Sequence, residues 1–282
     1  MQVRRGRQLV WEARPSSLRR RHDHLAIEEP LEIRCMSPAG SPELPGGARE
    51  TARSDAPVTL TVTMRTPGHD FELAAGFLLS EGVIDGAGEL TAVHYCNDSD
   101  LDAEMRFNVV TTELGEQGAA RRLSPRLQLT SSSCGLCGSA SIEAVRAASH
   151  PTIGPGPAVS FEVLTSIPRR LESAQKAFAS TGGVHGAALI SPDGRVLVAR
   201  EDIGRHNAVD KVVGWALLNG VFPIEDTVLA VSGRSSFEIV QKALRAGIAM
   251  VAGISAASNL AVGLADAERI TLVGWLRGER CT

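Results

Sequence analysis

Alternating apolar and polar positions are clearest at residues 58–64, where the pattern predicts a β-strand. The same alternation surrounds Pro30 over residues 27–33, which indicates a strand that the proline interrupts or places at an edge. Residues 70–80 are instead apolar on most faces, which predicts a mainly buried helix with Asp70 as its N-cap. Shorter β-prone segments follow at residues 92–95 and 105–111.

The pattern changes after residue 159, where short apolar strands alternate with helical segments of about ten residues. The predicted strands are residues 187–191, 196–199, 228–232, 250–254 and 270–275, and the predicted helices are residues 166–179, 207–218, 236–246 and 259–265. This order predicts a mostly parallel sheet covered by helices. The overall class is therefore α+β, with an α/β second half.

The halves are separated at residues 149–159, which are rich in proline and glycine and form the best linker candidate. The predicted organisation has three parts: a disordered basic N-terminus at 1–24, an α+β domain at 25–150 and an α/β domain at 151–282. Residues 36–57 are expected to form an extended loop or insertion. The Arg-rich N-terminus is interpreted as a solvated tail, with a basic arm for an anionic partner as the alternative.

Composition narrows the functional classes. Hydrophobic residues make up 43% of the chain and charged residues 22%, as in an ordinary soluble protein, and the formal net charge of -3 gives no argument for nucleic acid or membrane binding. No apolar run approaches the roughly 20 residues that span a bilayer, and no apolar segment follows Arg4 and Arg5, so a secretory signal is not expected. The five cysteines lack the regular pairing of a disulfide scaffold, so a cytoplasmic location is expected.

Residues 131–138 contain Cys134 and Cys137 at C-x-x-C spacing among serines and glycines, which predicts an exposed, reactive loop. Four interpretations remain open from these residues: half of a zinc site, a dithiol–disulfide redox pair, a persulfide carrier or a pair of structural thiols. A zinc site needs about four ligands, and only His185 or His206 offers a distant third. A thioredoxin-like role is disfavoured because the pair lies between the two halves.

Four polar, glycine- or serine-rich junctions lie between strands and helices of the second half, at residues 181–186, 201–207, 232–236 and 255–259. In such sheets, ligands collect at the carboxyl ends of strands and at helix N-termini. The turn around Ser232, Gly233 and Arg234 suits a phosphate because backbone N–H groups, hydroxyls and a guanidinium converge there. Arg205 is a second candidate phosphate contact.

Eight segments match the motifs of one known family, at residues 28–33, 63–74, 76–82, 132–138, 181–188, 201–211, 232–234 and 253–256. The chain closely resembles the FdhD family of sulfur carriers for formate dehydrogenase, over most of residues 25–280. The resemblance implies a second half similar in fold to cytidine deaminases, with a mixed sheet covered by helices beside a smaller β-rich N-terminal domain. It also implies a soluble homodimer.

The same resemblance implies the chemistry. In that family the C-x-x-C accepts sulfur as a persulfide from a cysteine desulfurase and passes it to the molybdenum bis(molybdopterin guanine dinucleotide) cofactor, of which GDP is a fragment. The cofactor then enters formate dehydrogenase. This places the persulfide on Cys134, with Cys137 as the second thiol, and requires no fixed metal site in the protein.

The candidate cofactor contacts lie in two places. One is the set of turns that suit a phosphate, and the other is the part of this chain that corresponds to the family's C-terminal cofactor-binding segment. They are Arg205, His206, Ser232, Gly233, Arg234, Trp275, Leu276, Arg277, Gly278, Glu279 and Arg280. Two features depart from the family: residues 36–57 are longer than its usual turn, and the C-terminus lacks its aromatic-rich tail.

Two other functional classes are considered. A zinc-dependent deaminase needs a His-x-Glu motif, yet neither His185 nor His206 is followed two residues later by glutamate. A cofactor chaperone without sulfur chemistry would function without either cysteine of the C-x-x-C.

Overall fold

A computed structural model of the chain describes residues 5–36, 57–96, 106–115, 150–278 and 280–282. Cys134, Cys137 and Glu279 lie outside the described residues, as does nearly all of the insertion expected at residues 36–57.

The first described element is an antiparallel hairpin of β1 (Arg5–Arg14) and β2 (Ser17–Ala26). The prediction of a disordered N-terminus is therefore wrong for residues 5–24. The hairpin is largely exposed on both faces, so it lacks the apolar and polar alternation that reveals a half-buried strand. Cross-strand pairs stabilise it instead, including Glu12 with Arg19 and Trp11 with Arg20.

A four-stranded sheet follows, formed by β3 (Glu29–Met36), β4 (Val58–Arg65), β5 (Leu90–Tyr95) and β6 (Val109–Leu114) in the order β4-β3-β6-β5. Strand β3 is central, antiparallel to β4 and parallel to β6. Pro30 is compatible with this position because pairing with β6 begins only at Glu32. The proline therefore lies on a local edge of a central strand.

The second half contains a five-stranded sheet of β7 (His185–Ile190), β8 (Val196–Asp202), β9 (Val228–Val231), β10 (Met250–Gly253) and β11 (Thr271–Val273). The strand order is β11-β10-β9-β7-β8, with β9, β10 and β11 parallel and β7 antiparallel to both of its neighbours. All residues of β9 and β10 are buried, as expected for strands covered on both faces. The predicted mixed sheet is confirmed.

The helices are α1 (Asp70–Ser80), α2 (Phe161–Ala174), α3 (Lys176–Thr181), α4 (Arg205–Leu218), α5 (Phe237–Ala246) and α6 (Asn259–Ala267). The helix predicted at 166–179 is in fact two helices that meet at Gln175. Asp70 does not cap α1, because its carboxylate pairs with buried Arg65 and His69 occupies the N-cap position. Throughout the described ranges, no helix combines the length and apolar character needed to cross a membrane.

The two halves share one hydrophobic cluster, and α1 packs closely against α4 within it. Two glycines permit this approach. A Cβ on Gly76 would lie 1.9 Å from the carbonyl oxygen of Asp210, and one on Gly214 would lie 1.8 Å from that of Glu72. The first half therefore supports the helix that opens beside the carboxyl end of β8, while the predicted domain boundaries remain a prediction.

Candidate functional site

The carboxyl ends of β8, β9, β10 and β11 lie at one edge of the five-stranded sheet, together with the start of antiparallel β7. Two hydrogen bonds join β7 to the end of β9: the Ser232 N–H donates to the Gly186 carbonyl at 2.9 Å, and the Gly186 N–H donates to Ser232 Oγ at 2.9 Å. We call this the site edge. It comprises His185, the turns at residues 203–206, 232–236, 254–258 and 274–278, and Arg280.

Gly233 lies between two basic side chains of the site edge. A Cβ at this position would lie 3.4 Å from His185 Nδ1 and 3.6 Å from Arg205 Cδ. Burial lowers the pKa of His185, and the nearby charges of Arg205 and His206 lower it further. At neutral pH, His185 is therefore a neutral hydrogen-bonding group beside the Arg205 guanidinium.

Two buried polar atoms of the site edge have no hydrogen-bond partner in the described part of the chain. Ser235 is fully buried, and its backbone pairs with Ala256 and Ser258 in the next turn at 3.1 Å each. Its Oγ nevertheless has no hydrogen-bond partner among the described residues, and the same is true of Arg205 Nε. Such orphaned groups are few in native proteins and often mark a place that water or a ligand completes.

His206 has partners of its own at the start of α5. Its Nε2 lies 3.3 Å from both Ser236 Oγ and Glu238 Oε2, and Ser236 Oγ donates to Glu238 at 2.8 Å. The hydrogen bond with His206 is the main reason that the pKa of Glu238 falls to about 2. A ligand that contacts His206 therefore meets an imidazole already oriented by a carboxylate.

After β11 the chain folds back across the site edge. The Trp275 N–H donates to the Ser255 carbonyl at 3.1 Å, and the Arg277 guanidinium lies 4.9 Å from the Trp275 ring centroid. Arg277 and Arg280 close a turn through reciprocal backbone bonds of 3.0 and 3.1 Å. Leu276, which was predicted as a cofactor contact, is only 1% exposed and anchors the segment in the core.

Four arginines of the site edge have no carboxylate partner among the residues that the structure describes. Arg234, Arg277 and Arg280 are exposed and Arg205 is half-buried, and none of the four forms an ion pair within the described part of the chain. Guanidiniums without an ion-pair partner attract anions, above all phosphates.

The turn before α4 is held in place by the first half of the chain. Asp202 is fully buried and accepts hydrogen bonds from the Thr66 N–H at 3.1 Å, the Gly204 N–H at 2.9 Å and Asn207 Nδ2 at 3.1 Å. Lys211 Nζ lies 2.6 Å from the same carboxylate and donates to the Thr66 carbonyl at 2.8 Å. We call Thr66, Asp202, Asn207 and Lys211 the clamp. It orients the turn that carries Arg205.

Comparisons with known proteins identify the family. The FdhD/NarQ family model matches residues 56–282. The chain belongs to the FdhD/NarQ family. Among curated relatives named "Sulfur carrier protein FdhD", that of Mycolicibacterium paratuberculosis is 48% identical over 91% of this chain and 88% of its own. The Streptomyces avermitilis protein is 46% identical over 96% of this chain and 90% of its own, and the Sulfurisphaera tokodaii protein is 37% identical over 99% and 95%. The predicted family resemblance is confirmed.

The fold is also shared with a solved structure. A crystal structure described as a formate dehydrogenase accessory protein from Desulfotalea psychrophila superposes with a TM-score of 0.71. The sequences are 23% identical, and the match covers 99% of this chain and 95% of that chain. The overall α+β architecture is therefore one already seen in a solved structure.

For this FdhD/NarQ chain, the structure brings most of the predicted cofactor contacts to the site edge: Arg205, His206, Ser232, Gly233, Arg234, Trp275, Arg277, Gly278 and Arg280. Sequence reasoning missed the clamp, although its residues lie in the matched motifs. The available signal was a charged pair, Asp210 and Lys211, inside an otherwise apolar helix pattern. Over the described ranges, His, Cys, Asp and Glu side chains form no cluster of three with metal-ligand geometry.

Proposed function

We propose that this chain is a sulfur carrier for formate dehydrogenase. It accepts sulfur from a cysteine desulfurase on Cys134 and delivers it to the molybdenum bis(molybdopterin guanine dinucleotide) cofactor before the cofactor enters the enzyme. The observation that carries this proposal is the site edge, where Arg205 Nε and Ser235 Oγ are buried without a hydrogen-bond partner and four arginines form no ion pair among the described residues. The curated relatives bear the name of sulfur carriers, and the solved neighbour that of a formate dehydrogenase accessory protein.

The residues of the site edge fit a guanine nucleotide. Each half of the cofactor carries a pyrophosphate, and Arg205 and Arg234 are placed where the helices α4 and α5 begin. Helix N-termini and guanidiniums both favour phosphate. Trp275 is 44% exposed and offers an aromatic ring for stacking against a base. The guanidinium of Arg277 covers part of this ring, so we expect it to move when a base stacks there.

Each part of the site has a distinct task in this proposal. Arg205 and Arg234 bind phosphate, and the clamp keeps the Arg205 turn in its binding conformation. His185 stays neutral beside Arg205 because burial and neighbouring positive charge lower its pKa, so it donates or accepts a hydrogen bond without adding charge. The nucleotide end of the cofactor is thereby held on the second half of the chain.

Sulfur reaches the carrier by thiol–disulfide exchange chemistry. The Cys134 thiolate attacks the terminal sulfur of the donor's persulfide, the donor's S–S bond breaks, and the donor cysteine leaves as a thiolate. Cys134 then carries the persulfide. For release, the Cys137 thiolate attacks the inner sulfur of Cys134, a disulfide forms, and hydrosulfide leaves. The cofactor's metal centre is the acceptor of this sulfur, and a cellular dithiol reduces the disulfide for the next cycle.

The test is the intact mass of the purified protein after incubation with a cysteine desulfurase and cysteine. We expect wild type to gain one sulfur atom and Cys134→Ala to gain none. Cys281→Ala is the matched control, because Cys281 is another free thiol, and it should gain sulfur as wild type does. Equal loading of Cys134→Ala and wild type would contradict the proposal.

Binding of the nucleotide is measured separately by calorimetry with GDP. The chain is a cofactor chaperone instead if three results are found together. GDP binds, no sulfur is loaded, and the client formate dehydrogenase matures normally when both cysteines are replaced. If wild type binds no GDP at millimolar concentration, the assignment of the site edge to the cofactor fails. The two measurements thus separate the carrier from the binding function.

A further inference from the structure

One face of the N-terminal hairpin carries cations and exposed apolar side chains but no carboxylate. In an antiparallel pair, directly opposite residues lie on the same face of the hairpin. Successive residues of each strand alternate between the two faces. This face pairs Arg7 with His24, Leu9 with His22, Trp11 with Arg20, and Ala13 with Leu18. The exposed fractions are 53% for Leu9, 59% for Trp11 and 63% for Leu18. We call Arg7, Leu9, Trp11, Leu18, Arg20, His22 and His24 the basic-apolar face.

On the opposite face of the same hairpin, Arg14, Arg19 and Arg21 each form an ion pair with a carboxylate. Glu12 accepts a hydrogen bond from Arg19, which lowers the pKa of Glu12, and Arg21 pairs with Asp23 at 2.9 Å. On the basic-apolar face, by contrast, neither Arg7 nor Arg20 forms an ion pair with any residue that the structure describes. Arg20 instead stacks 4.7 Å from the Trp11 ring centroid. The hairpin arginines that lack an ion-pair partner among the described residues therefore lie on one face.

The hairpin is attached beside the site edge. Its last residue, Ala26, contacts Gly183, where an added Cβ would lie 3.4 Å from the Ala26 Cβ. Gly183 precedes His185 of the site edge by two residues. The base of the hairpin therefore lies next to the site edge.

We propose that the basic-apolar face binds an acidic segment of a partner protein that also carries apolar side chains. Tryptophan and arginine are the residues that most often dominate the energy of protein interfaces. Here, Trp11 and Arg20 form the centre of the face, with Leu9 and Leu18 beside them and Arg7 towards one end. Carboxylates complement the cations, and apolar side chains cover the exposed ring and leucines. This docking role does not depend on sulfur transfer.

The same observations disfavour the other occupants. Phosphates of a nucleic acid would pair with Arg7 and Arg20 but leave Leu9 and Leu18 without apolar partners. A second copy of the chain, packed face to face about a two-fold axis, would bring one cationic face against its equal. An acidic protein segment satisfies both the charge and the apolar surface.

The test is fluorescence anisotropy of the full chain with a labelled peptide that alternates glutamate with leucine. We expect wild type to bind this peptide, and Trp11→Ala and Arg20→Glu each to weaken binding about tenfold or more. Arg14→Glu is the matched control, because it makes the same charge change on the opposite face at an exposed pair of 3.4 Å. It should leave the affinity unchanged.

Several outcomes overturn the proposal: no binding by wild type at millimolar peptide, equal binding of a peptide with lysine in place of glutamate, or equal weakening by Arg14→Glu and Arg20→Glu. Tighter binding of a single-stranded DNA oligonucleotide would make the face a nucleic-acid site. Light scattering that shows a dimer in wild type and a monomer in Arg20→Glu would make it an interface between copies. Hydrogen exchange across residues 5–26 verifies the hairpin in each variant. If Trp11→Ala loses it, Arg20→Glu decides the test.

Discussion

Asp202 of the clamp and Arg205 of the site edge are three residues apart in the chain. Yet only Asp202 has a full set of hydrogen-bond partners among the described residues. Asp202 is fully buried and receives hydrogen bonds from two backbone amides, an asparagine and a lysine. Arg205 Nε is buried and has no partner among the described residues. Because leaving a buried polar group unpaired is costly, a complete set of partners indicates a structural role, and an incomplete set marks a place that water or a ligand completes.

The comparison also explains why two distant motifs are needed for one site. Thr66 belongs to the first half and Asp202 to the second, and Thr66 Oγ1 also accepts a hydrogen bond from the Ile203 N–H at 3.1 Å. Arg205 is therefore positioned from behind by the first half of the chain. We expect clamp variants to lose stability first, and site-edge variants to lose affinity alone.

The largest expected effect is that of Asp202→Asn. The change leaves buried Lys211 without its carboxylate, and breaking a buried ion pair in this way costs about 3–5 kcal/mol. Urea denaturation measures the free energy of unfolding. Glu32→Gln, which breaks the partly exposed pair with Arg34, is the control and should cost less than about 1 kcal/mol. Similar values for the two variants would mean that the clamp is not a structural centre.

The contact between the halves can also be broken without a change of charge. Gly214→Ala places a Cβ 1.8 Å from the Glu72 carbonyl oxygen, so α1 and α4 must separate. Overpacking of this kind costs about 1–3 kcal/mol, and the upper end is expected because the obstacle is backbone. Gly88→Ala is the control, since an added Cβ there meets nothing within 4 Å. Thermal unfolding that is equal in both variants would contradict the close crossing.

The site edge should show the opposite behaviour. Arg234→Ala removes an exposed guanidinium without an ion pair in the described ranges, so the free energy of unfolding should change by less than about 0.5 kcal/mol. The variant should lose about 1.5–3 kcal/mol of binding free energy for GDP, which is the range for hydrogen bonds to charged groups. Arg169→Ala, on an exposed position of α2, controls for the loss of charge in calorimetry. Unchanged affinity with lower stability would place Arg234 with the clamp.

Glu238 lies between the two classes and should have the smallest effect. Its pKa is lowered from 4.5 to about 2, so its ionised form is stabilised in the folded state. That contribution is present above pH 4.5 and is lost as the pH falls from 4.5 towards 2. Its carboxylate is nearly half exposed, so we expect less than about 1 kcal/mol. Across this pH window, the free energy of unfolding should change less with pH in Glu238→Gln than in wild type. The same pH dependence in both proteins would contradict the hydrogen bond with His206.

Much of the fold could be predicted because buried elements show a characteristic pattern of apolar and polar positions in the sequence. The buried strands β9 and β10 are continuous apolar runs, and the hairpin of β7 and β8 contains the Pro192-Asp193-Gly194 turn. The hairpin of β1 and β2 shows no such pattern because nearly all of its side chains face solvent. Helices α2 and α3 were merged for a related reason, since the break at Gln175 has no proline or glycine to mark it.

The sequence by itself determined the family, the α+β class, and the glycine, serine and arginine turns that form the site edge, because these depend on local residue types and their spacing. Only the tertiary structure decided which polar residues are structural and which remain free for a ligand. Asp202 and Arg205 lie in the same polar junction of the sequence, at residues 201–207. Asp202 becomes structural because Thr66, from the first half of the chain, completes its hydrogen bonds, whereas Arg205 Nε receives no partner from the described residues. Such long-range pairing leaves no periodic pattern in the residues that it joins.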